Sequence, residues 1–280
     1  MKNYLTIRLA VGLIAFCFFT FGAAAVNAQQ VEDANDFADS PCAGFPKQNV
    51  FDSFTEAFAA PERVKCLNPN FTEKELNMKT LPAKFGTLTN LEVFSFGCLE
   101  KLTTLPEAIG SLSKMTKLII DNGNGCSMSV AIPASIGKLQ NLRVLRLYGA
   151  IESAKPLPAA IGQLRNLEVL DLGRNGLTSV PTSIAALSNL KTLRLEYNAL
   201  KAAPAFVGSF KNLQELSLDA NENIKTLPAS LGKLQGLKVS LGNNALKLRD
   251  QKALQTKFPN ITFSFENEYD DARANEESSK

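Results

Sequence analysis

The stretch LPAAIGQLRNLEVLDLGRN, residues 157–175, recurs along the chain with changes of detail, and no other feature limits the fold so tightly. Its opening returns as LPAKFGTL at Leu81, LPEAIGSL at Leu105, IPASIGKL at Ile132, VPTSIAAL at Val180, APAFVGSF at Ala203 and LPASLGKL at Leu227. The prolines of the seven copies are Pro82, Pro106, Pro133, Pro158, Pro181, Pro204 and Pro228, spaced by 24, 27, 25, 23, 23 and 24 residues. Leucine-rich runs follow: LEVFSF at Leu91, MTKLII at Met115, LRVLRL at Leu142, LEVLDLGRN at Leu167, LKTLRLEYN at Leu190 and LQELSLDAN at Leu213. VKCLNP at Val64 is a degenerate first copy. LKVSLGNN at Leu237 is a last copy one residue short, which makes about eight units. Self-similarity at such a period means stacked units, each too small to bury its own apolar face.

Within LEVLDL, alternation puts Leu170 and Leu172 on one face of a short strand, and Val169 and Asp171 on the other. Asn175, Asn198, Asn221 and Asn244 follow at equivalent places, where the chain turns off the strand. A buried amide there can satisfy backbone groups of the turn, and stacked copies would line up as a ladder. The next proline fixes φ and starts the return segment, where Ile161, Leu164 and Leu167 supply an outer apolar layer. Each fully buried leucine contributes ~1.5–3 kcal/mol, so the stack is the source of stability. Three earlier repeats carry Leu99, Gly123 and Ala150 at the asparagine position. Two of these have longer turns, DNGNGCSMSVA after Ile120 and YGAIESAKP after Leu147, so the N-terminal half is the less regular one. Insertions of this kind map to one rim of a solenoid, often near a binding face.

Over residues 61–250 these units resemble the leucine-rich repeat family, in the subtype of about 23 residues with an LPxxIGxLxxL return segment, seen in Ras-suppressor-type, plant intracellular and many bacterial members. The resemblance implies an α/β repeat solenoid, a right-handed horseshoe with a parallel β-sheet on the concave face. Its convex side would be 3₁₀ or irregular. It also implies a concave face that binds a partner, without saying which.

A solenoid needs caps at both ends. Residues 29–63 are expected to form an N-terminal segment with a capping helix, because Phe51, Phe54 and Phe58 fall at helical spacing within 49–64 and Asp52 or Ser53 can cap it. Repeats are then expected over 64–250. A C-terminal cap follows at 251–265, a helix and then a closing strand with Ile261, Phe263 and Phe265 alternating. The polar, acidic stretch 266–280 reads as a disordered tail. Residues 1–28 read as a signal peptide with a basic start at Lys2 and Arg8, an apolar run, and a small-x-small cleavage site ending at Ala28. An uncleaved anchor is the alternative. Cys17 lies mid-run behind Phe16, which does not suit lipid attachment. Cleavage removes two basic charges, taking the net charge from +3 to +1. The expected location is secreted, periplasmic or at the cell surface, as a monomer and free of the membrane once the leader is cut.

Export makes Cys42, Cys66, Cys98 and Cys126 candidates for two disulfides. Three connectivities are open. The simplest pairs Cys42 with Cys66 near the N-cap, and Cys98 with Cys126 in the loops of adjacent repeats.

Catalytic constellations are missing. The chain has no His, which excludes His acid/base chemistry and His metal ligands, and it has no Walker or Rossmann loop. GNGC at 123–126 lacks a His partner for its thiol, and DNGNG at 121–125 supplies too few carboxylates for calcium. No enzyme activity, cofactor or metal is expected. Strand alternation instead lists the concave face: Asn68, Ser95, Ile119, Arg146, Asp171, Arg194 and Ser217 in one column, and Asn70, Gly97, Asp121, Tyr148, Gly173, Glu196 and Asp219 in the next. The candidate partner-binding residues are Arg146, Tyr148, Asp171, Arg174, Arg194, Glu196, Tyr197, Glu215 and Asp219. Arg and Tyr are enriched in binding hot spots, and mixed charge favours a protein or peptide over nucleic acid. The rival expectation is a structural envelope or matrix protein with glycan contact, which the two tyrosines and the absence of Trp support only weakly.

Overall fold

The computed structural model describes residues 40–123, 126–151 and 156–265. The leader, the segment 29–39 and the tail read at 266–280 lie outside the described residues. Ten strands form one sheet in chain order, every neighbouring pair parallel. They are β1 Val50–Phe51, β2 Cys66–Leu67, β3 Val93–Phe96, β4 Lys117–Asp121, β5 Val144–Tyr148, β6 Val169–Asp171, β7 Thr192–Arg194, β8 Glu215–Ser217, β9 Lys238–Ser240 and β10 Thr262–Ser264. The strands are short because each repeat must leave the sheet after a few residues and return one layer further on.

The return is made by 3₁₀ helix. Each of the seven repeated prolines stands in extended backbone just before a five-residue 3₁₀ segment, from Ala83–Thr87 to Ala229–Lys233. Proline suits this place because its fixed φ starts the turn and its missing N–H is not needed there. The result is a leucine-rich repeat horseshoe with the sheet inside and 3₁₀ turns outside. Between the two layers runs one continuous core, including Ile161, Leu164, Leu167, Leu170 and Leu172, all shut off from water.

The ends are closed differently. The expected helix over 49–64 is shorter, α1 Phe54–Ala59. Ser53 caps it by accepting from the N–H of Thr55 at 3.1 Å and of Glu56 at 3.4 Å. Phe51 belongs to β1, and Pro61 begins a separate 3₁₀ turn, so the helix cannot run to Val64. Phe54 joins Phe71, Phe85, Phe94 and Phe96 in an aromatic cluster, with ring centroids 4.8 Å apart for Phe85–Phe94 and 4.9 Å for Phe94–Phe96. At the other end α2, Leu248–Lys257, buries Leu254 and is followed by buried Phe258 and Ile261, and β10 adds the last strand. Two disulfides, Cys42–Cys66 and Cys98–Cys126, both lie in the N-terminal half.

Candidate functional site

The register sets Arg146 of β5, Asp171 of β6 and Arg194 of β7 side by side on the inner face. Arg146 donates from Nη1 to Asp171 at 2.8 Å and from Nε and Nη2 to Asp121 at 2.9 and 2.8 Å. Its guanidinium also stands 4.8 Å from the Tyr148 ring centroid, a cation–π distance. Arg194 reaches Glu215 at 3.3 Å. Asp171 differs from the expectation of a solvated residue, because it is fully buried (0% exposed). Alternation gives the face of a strand, but Arg146 folds over the short Asp171 side chain and shuts it from water. Burial pushes the Asp171 carboxyl up from its ordinary value, against the opposing pull of Arg146 and of the Gly173 N–H bonded to it.

Two residues further along each strand, Tyr148, Gly173, Glu196 and Asp219 continue the face. Gly173 makes room: a Cβ there would stand 2.8 Å from Glu196 Oε1 and 2.9 Å from the Tyr148 ring. Glu196 therefore lies across β6. Its Oε2 is sealed from water and meets no donor. Burial, and next the charge of Asp171, push the Glu196 carboxyl up to about 7. Asp219 is better provided for, accepting from Ser217 Oγ at 2.9 Å, from Ser240 Oγ and from the Gly242 N–H at 2.5 Å.

Arg174 and Tyr197 occupy one recurring turn position and have left-handed backbone, with φ of 58° and 53°. Cys98, Ala220, Asn243 and Gly149 share that backbone at the equivalent place. The N–H groups of Arg174 and Tyr197 still bond across the sheet, to Glu196 O and Asp219 O, both at 2.9 Å. The positive φ then turns the next residue inward. Tyr197 is 37% exposed, and Arg174 donates to Gly123 O at 3.3 Å.

The residue turned inward is the asparagine. Asn198 donates to Leu172 O and Leu195 O at 3.0 Å and accepts from Leu177 N–H at 2.9 Å. Asn175, Asn221 and Asn244 repeat the pattern, each reaching back to the preceding repeat through Leu147 O, Leu195 O and Leu218 O. Asn175, Asn198 and Asn221 are buried. Where the repeat pattern puts Gly123 at this position, Asn122 stands one residue earlier. It is buried and donates to Gly149 O at 3.0 Å and Cys126 O at 2.5 Å. A second row escapes a motif reading centred on leucine. Asn141, Asn166, Asn189 and Asn212 precede their strands and donate to Ser113 O, Gln140 O, Arg165 O and Ser188 O at 2.8–2.9 Å. With Arg143, Glu168 and Lys191 they line an open polar groove of about 350 Å³.

Among the described residues no group of three or more His, Cys, Asp and Glu is placed to hold a metal ion, and no helix is long and apolar enough to cross a membrane. The recurring strand, inward asparagine and 3₁₀ return are the marks of one class of protein, the leucine-rich repeat solenoid. Residues 125–258 match the family described as leucine-rich repeat region. It is similar to the leucine-rich repeat domain of the type III effector XopL at 25% identity and a TM-score of 0.58, over 76% of this chain and 72% of that one. It is also similar, in fold alone, to the protein in a TLR13–ssRNA13 complex at 22% identity and a TM-score of 0.53. That likeness covers 74% of this chain and 33% of the other. No curated protein matches the chain in sequence.

Proposed function

We propose that the inner face of strands β4 to β8 is a non-enzymatic recognition surface for a protein or peptide, on a chain exported to an oxidising compartment. The observation that carries this is the fixed cluster of Arg146, Asp121, Asp171 and Tyr148 beside the exposed Tyr197. Arginine held by two carboxylates and an aromatic ring has little freedom left to lose on binding, and Arg and Tyr are the residue types that dominate interfaces. Acidic and basic side chains alternate across the face, which supports a polypeptide over a nucleic acid, whose sites are dominated by positive charge. The two disulfides support an oxidising location, and the leader-like residues 1–28 agree with it.

The test is capture of partners from the producing cell's envelope and medium with wild type and with Arg174→Ala/Tyr197→Ala. Both side chains sit at the surface of the turn, so folding should be unchanged. Loss of a specific partner by the folded variant is the expected result. Retention of every partner would move the site elsewhere, first to the irregular turn around residues 121–131.

A further inference from the structure

The open polar groove lies where the chain enters β5 to β8, at the opposite end of these strands from Tyr197 and Arg174. The sheet spacing extends into it. Glu168, Lys191 and Gln214 each donate from the backbone N–H to the carbonyl one repeat back, Arg143 O, Glu168 O and Lys191 O, at 2.8 Å. The row Asn141, Asn166, Asn189 and Asn212 therefore advances by about 4.8 Å per repeat. Each Nδ2 bonds a carbonyl of the preceding repeat, which fixes the amide. Among the described residues no donor meets the four Oδ1 atoms, so each is left as an acceptor on an exposed side chain. The row is bounded at both ends. Before it, Lys114 holds the equivalent place and donates to Asn90 Oδ1 at 2.7 Å. After it, the place falls to Gly236, which has no side chain. Beside the four acceptors, Glu168 is held by Lys191 at 2.6 Å and Arg143 at 3.4 Å, and Arg143 keeps 68% of its side chain exposed.

A ligand that satisfies this row must be a chain with hydrogen-bond donors at intervals of one repeat. An extended peptide turns N–H groups to one side at every second residue, roughly 6.6 Å apart, and falls out of step. A phosphate backbone brings acceptors to meet acceptors. The hydroxyls of a pyranose chain are donors, and in an extended β-1,4-linked chain each sugar advances by close to one repeat. Successive sugars turn over, so the row meets hydroxyls from the two edges of the ring in alternation. We infer that the groove binds an extended β-1,4-linked glycan, one sugar per repeat over four repeats, with hydroxyls donating to the Oδ1 atoms of Asn141, Asn166, Asn189 and Asn212. No aromatic ring lines the groove, so the affinity rests on hydrogen bonds and grows with each repeat engaged. The site is separate from the inner face and does not depend on the reading of that face as a protein-binding surface.

The experiment titrates the full chain with cellobiose, cellotetraose and cellohexaose, and with maltohexaose, whose α-1,4 linkages coil the chain. Calorimetry gives the affinities, and nitrogen NMR follows the asparagine side-chain amides. Affinity should rise from cellobiose to cellotetraose and level off at cellohexaose, because the row holds four acceptors. Cellotetraose should shift the amides of Asn141, Asn166, Asn189 and Asn212 in wild type, a readout that needs no variant to fold. Asn166→Ala/Asn189→Ala removes two of the bonds and should weaken cellotetraose about tenfold or more. Arg174→Ala/Tyr197→Ala should bind it as wild type does. No shift of the four amides, equal binding of maltohexaose, or unchanged affinity in folded Asn166→Ala/Asn189→Ala would overturn the inference. So would loss of cellotetraose by Arg174→Ala/Tyr197→Ala, which would put the glycan on the inner face.

Discussion

From β6 to β9 each turn off the sheet is held by an asparagine that reaches back to the repeat before it, buried at Asn175, Asn198 and Asn221 and half-buried at Asn244, whereas from β3 to β5 the same turns carry Leu99, Asn122 out of step, and Ala150. The first half replaces the ladder with other devices. Cys98–Cys126 ties two adjacent turns together, Cys42–Cys66 fastens the segment before the first repeat, and five phenylalanines fill the core where the later half uses mostly leucine. A ladder of side chains works only if successive repeats keep equal spacing, because each amide must meet both its own turn and the previous one. The longer turns after β4 and β5 break that spacing. A covalent link tolerates the mismatch, and a hydrogen-bonded ladder does not.

The comparison can be broken most forcefully at the disulfide. Cys98→Ser/Cys126→Ser should lower stability by about 3 kcal/mol, seen as a lower urea midpoint, since the bridge closes a loop of 28 residues. An unchanged midpoint would mean that the first half does not rely on it. Next in size is Asn198→Leu, which orphans the buried N–H groups of Asn175 and Leu177 and leaves the carbonyls of Leu172 and Leu195 with one amide donor each, from Asn175 and Asn221. A loss of ~2–3 kcal/mol is expected. The opposite exchange, Leu99→Asn, should also destabilise, because Leu99 is part of the core. A gain there would show that both halves want the same turn.

Glu196 distinguishes the halves by pH. Its folded value of about 7 lies above the ordinary 4.5. The folded chain therefore binds the proton more tightly than the unfolded chain. The associated stability is fully present below pH 4.5 and is lost as pH rises through 7. Between pH 5 and pH 8 wild type should lose about 2 kcal/mol from this group, and Glu196→Gln should not. Identical pH profiles would contradict the burial of an uncompensated carboxyl. The smallest effect belongs to Asn189→Ala. Its bond to Arg165 O resembles that of the inner ladder, but it is exposed and water can replace it, so a change within about 0.5 kcal/mol is expected by thermal melting.

The repeats, their strands and the outer turns were legible because prolines and leucines recur at a period that only a stack can satisfy. Asn122 was hidden because one residue displaces it from the repeated position, and position was the only signal. The row from Asn141 to Asn212 lay in view, always just before a leucine, but an exposed residue leaves no mark in a hydrophobic pattern. The burial of Asp171 was illegible for another reason. It depends on how far Arg146 folds over it from the neighbouring strand, and strand alternation carries no information on that. Gly173 likewise declares itself only once Glu196 and Tyr148 are seen to meet above it.

Hydrogen exchange of the oxidised and the reduced protein, read peptide by peptide by mass spectrometry, tests most directly whether the two halves are held by different means. Reduction should strip protection from peptides spanning residues 66–130, where Cys66, Cys98 and Cys126 lie, while peptides spanning 169–244 keep theirs through the asparagine ladder. Equal loss in both regions, or no loss in the first, would contradict the account.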